Sequence, residues 1–305
     1  MKILTVLPDN KYFLWQMLVQ MNNLKKMGLD KDTIYVIGKR DIQPSNILMK
    51  IIKKTNFKGT FYILNDEREH PKYSSSLRPH LLAKLFKNHN ELQNETFFYL
   101  DPDVIFTKKI NFGEFLKDDV WYLSDTRSYI NSKYIKGKDD KLFIEMCKIV
   151  GINPQTVENN DENAGGAQYL MKNINAEYWK KVEDDSEKLF QYMIKTSHIY
   201  CPQHPIQAWT ADMWAVLWNA WYFGNNTKIS KKLNFSWATE PIKNWTKNGL
   251  YHNAGAVIDD GTFFVKTAYQ ISPFNKEIKC NEDNCSFNYL KEIKDTENNF
   301  KEILF

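Results

Sequence analysis

FFYLDPDVIF, residues 97–106, reads as a buried strand broken by two carboxylates. Eight of its ten residues are apolar, aromatic or proline; the other two are Asp101 and Asp103. Burying an unpaired charge is far more costly than burying an amide or hydroxyl, so the pair needs compensation. In extended chain, residues i and i+2 point to the same side, which makes the two carboxylates converge. Pro102 cannot donate a ladder hydrogen bond, so the strand is expected to leave its sheet here. Two converging hard oxygens suit Mg²⁺ or Mn²⁺. The alternative is an Asp-Pro-Asp turn whose carboxylates accept hydrogen bonds from backbone N–H groups.

Upstream of this stretch the pattern alternates. ILTVL (3–7), TIYVIG (33–38), TFYIL (60–64) and TFFYL (96–100) read as strands. Between them, residues 12–28 have helical apolar spacing and stop at Gly28, and residues 44–54 read as a short helix. Residues 74–89 read as a third helix, with serines for an N-cap and Pro79 in the first turn. This βαβαβαβ order predicts an α/β fold with a largely parallel sheet, and ligands in such sheets bind outside the C-terminal strand ends. Asp101 and Asp103 follow such an end.

Downstream, VWYLSD (120–125) and NAGGAQYLMKN (163–173) read as strands, and 126–138 as a polar loop. Residues 139–150 and 176–195 read as helices, and 209–224 as a buried helix apolar nearly all round. The last thirty residues are polar. No internal repeat or Pro/Gly/Ser linker divides the chain.

Composition excludes little. The 305 residues are 43% hydrophobic, enough for a sizeable core, and 26% charged, with a net charge of +4 that permits an anionic partner without demanding one. No run of 18 apolar residues predicts a membrane span, and the N-terminal apolar stretch is too short for a signal-peptide core. The expectation is a cytoplasmic protein without membrane association. Of four cysteines only Cys280 and Cys285 are close in sequence; free thiols fit best, with a local disulfide as the alternative.

Four further features carry chemistry. His252, in YHNAGAV (251–257), precedes a small glycine-containing stretch and is a candidate third metal ligand or a structural histidine. Asp212, inside the apolar helix, is a candidate catalytic carboxylate; alternatively Thr210 caps that helix and Asp212 complements its dipole. Arg78 is a candidate phosphate ligand or an exposed helix-terminal charge. Trp15 and Gln16, on the first helix, can border a nucleotide, or Trp15 can be core.

An α/β first half ending in D-x-D, with a late H-x-x-G, resembles the GT-A class of metal-dependent, nucleotide-sugar glycosyltransferases. The order of Trp15-Gln16, DPD (101–103), NAGG (163–166), WTADM (209–213) and HNAG (252–255) further resembles the plant hydroxyproline O-arabinosyltransferases and the related serine galactosyltransferases, across residues 1–270. The resemblance implies a GT-A (Rossmann-like) α/β/α sandwich with a mostly parallel central sheet. It also implies that Asp101, Asp103 and His252 hold Mn²⁺ or Mg²⁺ against the UDP diphosphate, and that Asp212 is catalytic or binds sugar. The chain departs from the plant enzymes in two ways. The glycine after the histidine stands one place closer, and no membrane anchor is seen.

The expectation is therefore one domain, 1–305, with a nucleotide-sugar-binding half (1–107), an acceptor-binding half (108–275) and a polar tail (276–305). Its activity would be transfer of a sugar, arabinose or glucose, from a UDP-sugar to a hydroxyl. A nucleotidyltransferase shares the paired carboxylates but commonly has a Gly-rich loop after the first strand, where this chain reads PDNKYF. A carbohydrate-binding module fits the nine tryptophans but needs no D-x-D. For the acceptor, residues 124–141 place Arg127, Lys133, Lys136 and Lys138 beside Tyr129 and Tyr134. Such groups hold phosphates and stack on an exposed base, or form an ordinary solvated loop. Together with a Lys- and Asn-rich composition common in bacteriophage proteins, and with the resemblance above, they lead to the expectation of a DNA acceptor carrying 5-hydroxymethylcytosine. The competing acceptors are a cell-surface glycan precursor and a protein hydroxyl.

Overall fold

The structure is a computed structural model that describes residues 1–303; the last two residues of the 276–305 segment lie outside the described residues. In chain order the elements begin with β1 (Lys2–Pro8), α1 (Lys11–Met27), β2 (Thr33–Lys39), α2 (Asn46–Lys54), β3 (Thr60–Asn65), α3 (Leu77–Asn88) and β4 (Phe97–Leu100). There follow β5 (Val104–Phe106), β6 (Trp121–Asp125), α4 (Arg127–Ile130), α5 (Ser132–Lys136), α6 (Asp140–Val150), α7 (Pro154–Asn159) and β7 (Gly165–Met171). The chain continues through α8 (Ala176–Thr196), α9 (Ala211–Tyr222), β8 (Thr227–Ile229), β9 (Phe235–Trp237), β10 (Leu250–His252) and α10 (Cys285–Asn299). They gather into two compact units. The first takes Lys2–Asn65, Leu100–Asn111 and the chain from Lys232; the second takes Met1, Asp66–Tyr99 and Phe112–Lys231.

In the first unit β3, β2 and β1 pair in parallel, as their alternation with α1 and α2 predicts. Asn10 caps α1 by accepting from the Phe13 N–H (3.0 Å), and Gly28 ends it in the left-handed region at φ 73°. The stop at Gly28 is thus as expected. A second, small sheet joins β5 antiparallel to β10, and β10 parallel to β9. The polar 276–305 stretch carries α10, which buries Tyr289, Leu290 and Ile293 and ties to α1 through Asn22 to Asp295 (2.7 Å) and Lys26 to Glu292 (2.6 Å).

Buried amides on α1 fix the chain around the two aspartates. Gln20 donates through Nε2 to the carbonyls of Asp101 and Val104, both at 2.8 Å. Its Oε1 accepts from Thr5 Oγ1 (3.2 Å) and Tyr35 Oη (2.9 Å). Asn23 exchanges two hydrogen bonds with the Phe106 backbone, each 2.9 Å. A buried polar group left without its partner costs about 1–3 kcal/mol. Gln20→Ala, which takes one partner each from the Asp101 and Val104 carbonyls and from the Thr5 and Tyr35 hydroxyls, is therefore expected to destabilise the protein by at least about 2 kcal/mol in urea unfolding. A loss below about 0.5 kcal/mol would show that these groups find other partners.

In the second unit β7 runs antiparallel to both β4 and β6, and β6 parallel to β8. Of the pairings within the two units that involve these seven strands, three are parallel and two antiparallel. The architecture is α/β with a mostly parallel sheet, in agreement with the sequence pattern. Helix α9 is buried almost all round, as predicted, with Trp214 and Trp218 fully buried.

Two local expectations fail in this unit. Residues 126–138, read as a loop, contain α4 and α5; Asn131 caps α5 by accepting from the Tyr134 N–H (2.8 Å), and Ile130 and Ile135 supply the buried anchors. Two apolar side chains in a polar stretch are too few to show a helical period. The serines before α3 do not cap it through their side chains: Ser76 Oγ donates toward Glu187 Oε1 (2.6 Å) and the Tyr73 carbonyl (2.8 Å) instead. Tertiary partners win over the local cap. All four cysteines are free thiols. No helix among the described residues is long and apolar enough to cross a membrane.

Candidate functional site

The DPD stretch is a turn. β4 ends at Leu100, the Val104 N–H donates to the Asp101 carbonyl (3.1 Å), and β5 begins at Val104. Pairing of β5 with β10 sets His252 opposite Val104, and the Asn253 N–H donates to the Asp103 carbonyl (3.1 Å). Backbone register therefore carries the imidazole to the carboxylates. His252 Nε2 lies 3.4 Å from Asp103 Oδ1 and 3.9 Å from Asp101 Oδ2. One ligand atom from each of Asp101, Asp103 and His252 falls within 4.8 Å of the others. The convergence anticipated from i, i+2 alternation exists, but a turn and a neighbouring strand produce it. The His252 ring is fixed by near-parallel stacking on Trp237 (centroids 6.1 Å, 10°) and by Phe235 at 5.4 Å.

Lys266 completes the cluster and was not singled out in the sequence. Its Nζ makes an ion pair with Asp103 Oδ2. The turn that carries it, Lys266–Ala268, is anchored by the buried Phe264 and Val265. Burial alone would raise the Asp103 carboxyl, but the charge of Lys266, then of His252, outweighs it and holds the group well below the usual carboxylate range. Burial likewise opposes the Lys266 ammonium, and Asp103 more than restores it, so that Lys266 stays charged. Asn253 is 2% exposed; its Oδ1 accepts from Tyr251 Oη (2.9 Å), while its Nδ2 has no hydrogen-bond partner. A buried donor of this kind calls for an acceptor, and a phosphate or sugar oxygen supplies one. Two carboxylates and an imidazole in one cluster fit a Mn²⁺- or Mg²⁺-type ion.

Trp15 and Gln16 lie in the packing of α1. Trp15 is fully buried, donates from Nε1 to the Tyr269 carbonyl (3.0 Å) and sits edge-on to Phe264. Gln16 is 1% exposed and donates to the Tyr12 carbonyl (2.8 Å). Tyr12, half-buried one turn earlier, feels the charges of both Lys266 and Asp103; burial first, opposed by Lys266, raises its phenol.

The other predicted site residues meet in the second unit. Asp212 is 7% exposed, in the first turn of α9. Its Oδ1 lies 2.5 Å from Tyr73 Oη, and its Oδ2 pairs with Arg78. Thr210 does not cap α9 through its side chain: its hydroxyl donates to the Gln207 carbonyl (2.7 Å). Burial, then the charge of Asp212, pushes the Tyr73 phenol well up, so it stays a donor. In the same unit a Cβ on Gly166 would sit 2.7 Å from Tyr169 Oη and 2.7 Å from Met213 Cε, so a larger residue there would have to move both side-chain ends. Tyr169 Oη and Thr126 Oγ1, both near that glycine, are buried without hydrogen-bond partners.

Arg127, Lys133, Lys136 and Lys138 lie on or beside α4 and α5. Arg127 pairs with Asp125 (2.8 Å) and Glu162 (2.7 Å), and Lys136 with Glu158 (2.8 Å). Lys138 lies over the Tyr134 ring, which itself stacks on Trp214. Phosphate binding by Arg127 or Lys136 has to compete with these carboxylates.

No protein-family model matches the chain, and no curated protein does. Solved structures that resemble it include the galactosyltransferase LgtC in complex with donor and acceptor sugar analogues, at TM-score 0.47 and 10% identity over 100% of both chains. Others are the apo form of the bifunctional glycosyltransferase WbbM (TM-score 0.44, 10% identity, 84% of this chain) and apo mouse xyloside xylosyltransferase 1 (TM-score 0.42, 11% identity, 83% of this chain and 97% of that one). The match covers 46% of the WbbM chain. At such values likeness establishes no common activity, so the function is argued from the side chains.

Proposed function

We propose that this chain is a metal-dependent glycosyltransferase of the GT-A type, moving a sugar from a UDP-sugar to a hydroxyl acceptor. One observation carries the reading: the Asp101 and Asp103 pair and His252, distant from it in sequence, present ligand atoms within 4.8 Å of one another at the end of a β-strand. In this reading the three residues hold Mn²⁺ or Mg²⁺. An ion held by them would neutralise charge on the departing diphosphate. The anomeric C–O bond to UDP would break, a C–O bond to the acceptor would form, and the acceptor hydroxyl's proton would pass to the released UDP or to solvent.

The chain's own residues divide the remaining work. Asn253 offers a buried amide donor to a phosphate or sugar oxygen. Trp15 and Gln16 support the donor site from behind, through the helix that presents Tyr12 and Gln20. Asp212 receives a sugar hydroxyl or stabilises positive charge at the anomeric carbon. Arg78 and Tyr73 hold its carboxylate in place. Residues 1–305 form one catalytic domain in this reading. For the donor sugar we favour arabinose or glucose, and for the acceptor 5-hydroxymethylcytosine in bacteriophage DNA, with the α4–α5 basic residues beside it. Sugar transfer to hydroxymethylated DNA, read as a mass shift, tests that acceptor; no transfer across a panel of UDP-sugars would remove it and leave a glycan or protein hydroxyl.

The ligand role of His252 has its own test. His252→Ala should weaken UDP binding in Mn²⁺ by about tenfold or more, since loss of an outer-sphere partner alone typically costs roughly 10–100-fold. Without metal the same variant should bind UDP much as the unaltered protein does. Equal losses with and without Mn²⁺, by calorimetric titration, would make the imidazole a structural group.

A further inference from the structure

The ammonium of Lys266 stands on the same buried carboxylate that the divalent ion requires. Asp103 offers Oδ2 to Lys266 and turns Oδ1 toward His252, with Asp101 beside it. We propose that Lys266 is a built-in competitor of the metal: it neutralises Asp103 in the resting protein and is drawn off by the nucleotide diphosphate, so that ion and nucleotide bind cooperatively through it. The inference rests on the metal-site reading above and adds the order of events at that site.

Charge counting gives the reason. An imidazole that ligates a metal must be neutral, so in the metal-bound set two carboxylates and one ammonium sum to −1. A dication added to that set leaves an excess of +1 in a mostly buried cluster, and like charges close together at low dielectric repel strongly. Without the ammonium the carboxylates balance the dication. A diphosphate brings the missing negative charge and a better partner for the ammonium than a carboxylate already shared with a metal. Lys266 is suited to such a move: its stem is flexible, its side chain is 25% exposed, and Asp103 is its hydrogen-bond partner. His252, packed against Trp237 and Phe235, is not.

The test is Mn²⁺ titration, followed by electron paramagnetic resonance of the free ion, with and without UDP. Lys266→Met should bind Mn²⁺ alone at least about tenfold more tightly than the unaltered protein, equivalent to about 1.4 kcal/mol. In saturating Mn²⁺ it should bind UDP more weakly by a similar factor. The opposite signs identify competition, because a side chain that only supports the fold would weaken both. Lys266→Gln should repeat the pattern, and Lys266→Arg, which keeps the charge, should bind Mn²⁺ alone as weakly as the unaltered protein. If Lys266→Met and Lys266→Gln bind Mn²⁺ alone no more tightly than the unaltered protein, the inference is overturned while the metal site stands. If no form binds Mn²⁺ even with UDP, both fall.

Discussion

Asp103→Asn should cost turnover more than the roughly 10–100-fold that follows loss of an outer-sphere partner of a metal site. The substitution keeps the volume of the side chain and removes its charge. Asp103 is 3% exposed and faces both His252 and Lys266, so one change takes a hard anionic oxygen from the ion and the counter-charge from the ammonium. Mn²⁺ binding should fall with turnover. The alanine variant carries a second cost, because removing one member of a buried ion pair typically destabilises by about 3–5 kcal/mol; the asparagine variant is the cleaner test. Turnover near that of the unaltered protein, undiminished by EDTA, would remove the metal from the account.

Asp212→Asn is expected to lower turnover by about a hundredfold, near 2.7 kcal/mol of transition-state stabilisation, with UDP affinity little changed. The prediction follows from position. Asp212 is buried on α9, its two oxygens separately engaged by Tyr73 and Arg78, an arrangement that fixes the orientation of the carboxylate. A charge held in this way acts on a reacting sugar without reorganising. If the variant instead melts much lower while each folded molecule turns over normally, Asp212 is a structural partner of Arg78.

Much of this was legible because it is local. Apolar spacing along 12–28, the Gly28 stop and β-branched runs such as TIYVIG each report on their own neighbourhood, and the elements formed where those signals lie. Asp101 and Asp103 stood out because two charges in an apolar run violate the pattern around them. His252 stood out as a histidine before a small glycine-containing stretch, but nothing local set it beside Asp103, for their meeting depends on pairing between two three-residue strands, too short to show a period. Lys266 and Gln20 gave no signal. A lysine in a polar stretch and a glutamine in a helix are ordinary until the fold buries one against Asp103 and points the other at the Asp101 and Val104 carbonyls. The 126–138 segment shows the opposite failure: polar composition concealed two short helices held by a single asparagine cap and two isoleucines.

The central claim is that Asp101, Asp103 and His252 hold a divalent ion that makes a UDP-sugar reactive. Incubation with a panel of UDP-sugars, with Mn²⁺ or with EDTA, followed by detection of the nucleotide product, tests it most directly. The account predicts UDP from at least one donor in Mn²⁺ and none in EDTA. Pyrophosphate as the product would mean attack at phosphorus by a nucleotidyltransferase, and UDP formed equally in EDTA would mean a transferase that needs no metal; either result would contradict it.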